Sequence, residues 1–124
     1  MPHISVEYSA NAAGSFDPAS LAKDLHEAVV SLAGGRAGGC KTRFVRHDEV
    51  YIADGSPDHA MIHAEIALLS GRPAETKQAL SEAALELLRR HTAPMPQFEV
   101  QFSVDIRDLD RDAYTRHEDP RTQP

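Results

Sequence analysis

PASLAKDLHEAVVSL, residues 18–32, and PAETKQALSEAALEL, residues 73–87, are the stretches on which the fold turns. With a shift of 55 positions (18 to 73), Pro18, Ala19, Leu25, Glu27, Ala28 and Leu32 recur as Pro73, Ala74, Leu80, Glu82, Ala83 and Leu87. This is a weak internal repeat of one supersecondary unit. Each copy opens on a proline, which a first helical turn tolerates because the N–H there has no helical partner. Asp17 is placed to cap the first helix and Gly34-Gly35 to end it. Leu21, Leu25, Ala28, Val29 and Leu32 share one stripe. Leu80, Ala84, Leu87, Leu88 and His91 form the inward stripe of the second helix, which Pro94 and Pro96 stop.

Strands flank each helix. In residues 2–8, Ile4, Val6 and Tyr8 alternate with His3, Ser5 and Glu7, the period of a half-buried strand. Lys41 to Ile52 reads as one or two short strands before the turn Asp54-Gly55-Ser56-Pro57. From His59 to Leu69 the even positions are all apolar, and Phe98, Val100, Phe102, Val104 and Ile106 alternate strictly. The predicted class is therefore α/β (α+β): two βαβ units forming one mixed sheet, with both helices on one face because crossovers are right-handed. The other face stays uncovered in a monomer. It carries Met61 and other apolar groups beside polar ones, so self-association is expected.

A chain of 124 residues has room for one core, and a single domain over 1–124 is predicted, with about 108–124 a partly mobile tail anchored at Tyr114. A net charge of −6 leaves no global basic surface for a phosphate backbone, so no nucleic-acid partner is expected, and an anionic ligand would need a local basic pocket. No apolar run approaches the roughly 18 residues of a spanning helix, and the N-terminus lacks a basic-then-apolar leader. No membrane partner and a cytoplasmic location follow as expectations. Cys40 stands alone, which fits a reducing compartment and the role of a small structural thiol.

Two groups of residues invite chemistry. Pro2 follows the initiator methionine, whose removal would leave a secondary amine at the head of the first strand. An α-amine has an ordinary pKa of about 8, and burial lowers it by disfavouring the cation, which makes a neutral base. A proline opening an edge strand, where its missing N–H costs nothing, is the competing reading. The second group is the histidines, seven in all, with His59 and His63 four apart. On a strand that spacing separates them by about 13 Å, too far to share an ion, so no metal site is expected.

The opening Met1-Pro2-His3-Ile4-Ser5-Val6-Glu7-Tyr8-Ser9, followed by Asn11, resembles the start of 5-carboxymethyl-2-hydroxymuconate isomerases, a branch of the tautomerase superfamily. So do, in order and spacing, Gly39-Cys40-Lys41-Thr42-Arg43, Ala53-Asp54-Gly55, Asp58-His59-Ala60, His63, Gly71-Arg72 and Ser103-Val104-Asp105-Ile106. The resemblance covers about residues 2 to 116. It implies a homotrimer of double βαβ subunits, Pro2 as catalytic base, no cofactor, and a small-molecule substrate bearing carboxylates from aromatic acid breakdown. Arg43 and Arg72 match family arginines, and Lys41 stands where the family often has another. All three are expected to bind substrate carboxylates, which an arginine can grip bidentately and a lysine cannot. Arg72, in the turn Gly71-Arg72-Pro73, is expected to be an exposed charge of little weight in folding. Two alternatives stand beside the isomerase: a hydratase, decarboxylase or dehalogenase of unsaturated acids on the same fold, and a catalytically silent trimer that binds an anion.

Overall fold

The computed structural model describes all residues, Met1–Pro124. Four strands, β1 (His3–Ser9), β2 (Lys41–His47), β3 (His59–Leu69) and β4 (Glu99–Leu109), and two helices, α1 (Pro18–Ala33) and α2 (Ala74–His91), alternate as β1-α1-β2 and β3-α2-β4. The sheet order is β2-β1-β3-β4. Each unit pairs its own two strands in parallel, and the units meet antiparallel where Ile4 faces Ile66 and Val6 faces Ala64.

Local chemistry sets the helix ends where the sequence places them. The Asp17 carboxylate accepts the Ser20 N–H at 3.1 Å, Pro18 opens the helix, and Gly34 closes it at φ 73°, a left-handed conformation that costs glycine nothing. Arg89, Arg90 and His91 lie in the last turn of α2, where cations favour the exposed carbonyl end.

The core lies between the helices and one sheet face. Ile4, Val6, Leu25, Val29, Ile62, Ile66, Leu80 and Leu88 are all completely buried, and each contributes about 1.5–3 kcal/mol by leaving water. Leu32 departs from the expected stripe: it lies beyond Val29, the last buried residue of α1, and is 42% exposed. Lys41 to Ile52 supplies one strand, ending at His47, and the rest is loop.

The opposite face has no helix over it, and it is more polar than expected. Strand register puts His3, Ser5 and Glu7 beside Arg43 and His47, and His63 and Glu65 beside Ser103 and Asp105. Many of these pair with each other: His47 Nε2 lies 2.8 Å from Glu7, His63 Nδ1 2.7 Å from the Ser103 hydroxyl, and Arg107 3.3 Å from Glu65. Met61, Val45 and Ala67 are the apolar exceptions. A surface laid on this face would therefore meet hydrogen-bonding groups more than greasy ones.

Candidate active site

At one end of the sheet, β1 and β2 begin and β3 and β4 finish. Pro2 heads β1 with its ring fully buried. Gly35 makes room for it, since a Cβ there would sit 3.4 Å from Pro2 Cδ and 3.0 Å from Val29 Cγ1. Gly39 plays the same part for the residue before: a Cβ would fall 2.9 Å from the Met1 carbonyl oxygen and 3.0 Å from its nitrogen. The glycines between α1 and β2 thus seat the start of the chain against the fold.

The amine seated there is crowded by positive charge. Met1 N and Lys41 Nζ both donate to the Gly39 carbonyl, each at 2.8 Å. Burial first, then the Lys41 ammonium and the charges of Arg116 and Arg36, lower the amine pKa to about 6. The group so lowered is the Met1 amine, and burial and neighbouring cations at this spot favour the neutral form of an amine over its cation.

Two adjoining cavities open beside it, of about 420 and 220 Å³. The larger is lined by Met1, Arg36, Arg72, Arg111, Tyr114 and Arg116. The smaller is lined by Met1, Pro2, Leu68, Leu69, Arg72 and Arg111. Four arginines converge here although the chain carries a net charge of −6, so the basicity is local, and a positive potential of this kind attracts anions.

Arg72 is not the free turn charge that its sequence setting suggests. Its Nε donates to the Ala33 carbonyl at 2.8 Å and its Nη1 to the Leu69 carbonyl at 2.9 Å. It therefore ties the end of α1 to the end of β3 while still lining both cavities. Arg111 is held from the other side, donating through Nε and Nη2 to the Ser70 carbonyl. Lys41 lies against the amine. Arg43 lines neither cavity: it projects on the helix-free face, where its Nη2 lies 3.1 Å from His3 Nδ1.

Arg36, Arg111 and Arg116 are absent from the sequence reading, which makes Tyr114 an anchor of the tail and not a lining residue of a site. For Arg111, Tyr114 and Arg116 the signal lies in the pairing of β4 with β3, which ends with Leu69 opposite Leu109. Residues after Leu109 must therefore start beside Ser70 to Arg72, and the tail brings two arginines and a tyrosine to the site. Cys40 is a poor nucleophile, since burial pushes its thiol up. His59 and His63 take separate partners, Asp54 and Ser103.

A sequence profile described as 5-carboxymethyl-2-hydroxymuconate isomerase matches residues 2–122. The 5-carboxymethyl-2-hydroxymuconate Delta-isomerase of Escherichia coli is 27% identical over 110 residues, covering 88% of this chain and 87% of that one. Among solved structures, a 5-carboxymethyl-2-hydroxymuconate isomerase from Deinococcus radiodurans R1 superposes with a TM-score of 0.84 at 23% identity, covering 95% of this chain and 90% of that one. A fused 4-OT described as a symmetric trimer gives 0.69 at 23% identity, over 89% and 87% of the two chains.

Proposed function

The chain belongs to the 5-carboxymethyl-2-hydroxymuconate isomerase family, and from that premise we propose that it ketonises a carboxylate-bearing 2-hydroxymuconate-type dienol with the amine of Pro2 as base. The observation that carries this reading is the buried head of β1 opening on a cavity walled by arginines. Removal of Met1 leaves a secondary amine on a ring already packed against Gly35. That nitrogen takes a proton from the 2-hydroxyl or an adjacent carbon of the dienol, and returns one to another carbon of the conjugated system.

Arg72 and Arg111, shared by both cavities, hold the substrate carboxylates, with Lys41, Arg36 and Arg116 adding charge around them. Fixing both ends of the substrate orients the reacting carbon against the nitrogen. The same cations offset the charge that gathers on the dienolate. Arg43 serves through His3 rather than by touching substrate within its own subunit. The proposed assembly is a homotrimer, and the proposed location is the cytoplasm. No helix is long and apolar enough to cross a membrane.

The test is a ketonisation assay on the 2-hydroxymuconate dienol, combined with intact mass of the active protein. Turnover with a mass lacking methionine supports the reading. Full activity in protein that retains Met1 overturns the proline base, because the nitrogen would then be an amide.

A further inference from the structure

Tyr114 is the one neutral polar side chain in the wall of the larger cavity, which otherwise offers arginines and the chain amine. Its hydroxyl lies 2.8 Å from His3 Nε2, and the two rings meet edge to face with centroids 5.8 Å apart. On the other side of the imidazole, Arg43 Nη2 is 3.1 Å from Nδ1.

The direction of these bonds follows from chemistry. A guanidinium has only donors, so Nδ1 must accept from Arg43. A neutral imidazole that accepts at Nδ1 carries its proton at Nε2, which then donates to the Tyr114 oxygen. The neutral form is the one present: burial, then Arg43, Lys41 and the chain amine, hold the His3 pKa below its usual value. The tyrosine oxygen is thus occupied as an acceptor and its O–H is left without a partner in the chain.

Resting on the reading of the site given above, we propose that Tyr114 is a further catalytic residue, whose hydroxyl donates a hydrogen bond to the 2-oxygen of the substrate as charge gathers there during proton transfer. His3 and Arg43 are its positioning residues: they fix the tautomer that keeps the phenol proton free for the ligand. No proton leaves the tyrosine; the proton removed and the proton returned both travel on the amine. The arginines take the carboxylates, and the phenol distinguishes a ligand with oxygen at carbon 2 from one without it.

The experiment uses full-length Tyr114→Phe, His3→Ala and the double variant. Calorimetric titration compares adipate, a dicarboxylate without the 2-oxygen, with 2-oxoadipate; steady-state kinetics follow the 2-hydroxymuconate dienol. Tyr114→Phe is expected to lower kcat by about a hundredfold with KM changed by under about twofold. It should bind adipate as wild type does and 2-oxoadipate several-fold more weakly. His3→Ala should lower kcat in the wild-type background and change nothing further in the Tyr114→Phe background, since it acts only through the tyrosine. Equal weakening of both ligands, wild-type kcat in Tyr114→Phe, or additive losses in the double variant would overturn the proposal. An inactive wild type refutes the isomerase reading, and the 2-oxoadipate titration, which needs no turnover, still decides the tyrosine.

Discussion

The sheet carries a cavity of about 420 Å³ at each end, and the two could hardly differ more in charge. The far one, beyond the ends of β1 and β2, is lined by Ser9, Asn11, Asp48, Ser56 and His59 and contains no arginine or lysine. The near one has four arginines and the amine. Equal volume with different charge means that the character of each opening rests on which chain segments reach it. At the far end those are the connection from β1 to α1 and the loop from β2 to β3, rich in turn residues. At the near end they are the glycine linker after α1 and the turn before α2, each bringing one arginine, and the C-terminal tail, bringing two.

The sharpest way to break this contrast is to block the amine. A variant with residues added ahead of Pro2, so that its nitrogen is an amide, should lose about 10²- to 10⁴-fold in kcat/KM, the usual worth of a positioned base. Retained activity would move the chemistry away from the near end.

Next comes Arg72→Ala, which should cost about 10²- to 10³-fold in kcat/KM as a charge contact to the dienolate is lost. The loss of two hydrogen bonds to half-buried carbonyls should also lower unfolding free energy by about 1–3 kcal/mol in urea titration. A large kinetic effect with unchanged stability would mean that those backbone bonds carry no weight. The matched change at the far end is Asn11→Ala, where Nδ2 donates to the His59 carbonyl at 2.8 Å. It should cost about 1 kcal/mol of stability and leave kcat/KM as in wild type.

Acid–base behaviour separates the ends again. The burial and cations that lower the Met1 amine act in the same direction on the Pro2 amine freed by removal of Met1, so kcat/KM should rise with pH through a midpoint below the ordinary α-amine value of about 8 and level off above it. Lys41→Met removes a cation that disfavours protonation, so the midpoint should move up. A midpoint that stays in place would separate Lys41 from the amine.

The smallest effect expected is on stability. His3, at the near end, and His26 are both held below their ordinary pKa values, so the unfolded chain binds more protons there. Melting temperature should therefore fall as pH drops from 8 through the histidine range. Asp54, at the far end, has its carboxyl lowered by the Ser56 backbone N–H that it accepts and by His59. Its contribution is present above the ordinary carboxyl value of 3.8 and disappears only as acid takes the pH below that.

Much of the architecture could be read from local pattern. The cap at Asp17, the stop at Gly34, the strand His59–Leu69 and the parallel nature of each βαβ unit all follow from side-chain period and turn chemistry, which act between near neighbours in the chain. The helix-free face was legible as a face, but its pairing was not. His47 with Glu7 and Arg43 with His3 are both 40 residues apart, and only strand register brings them together.

The site divides in the same way. Pro2, Lys41 and Arg72 are recognisable because they sit next to elements whose ends the sequence marks, and a family resemblance attaches to them. Two facts about Arg72 and Arg43 needed the fold: the first is bound to two backbone carbonyls, and the second turns away from the cavity. Arg111, Tyr114 and Arg116 lie in a charged, proline-ended tail with no periodicity to read. Sequence by itself determined the two units, their boundaries and the basic residues at their joints, because helix caps, turns and hydrophobic period are short-range. Tertiary structure alone decided which of the 13 lysines and arginines converge. That convergence depends on the antiparallel meeting of β1 with β3, which sets the head of one unit and the tail of the other at the same end of the sheet.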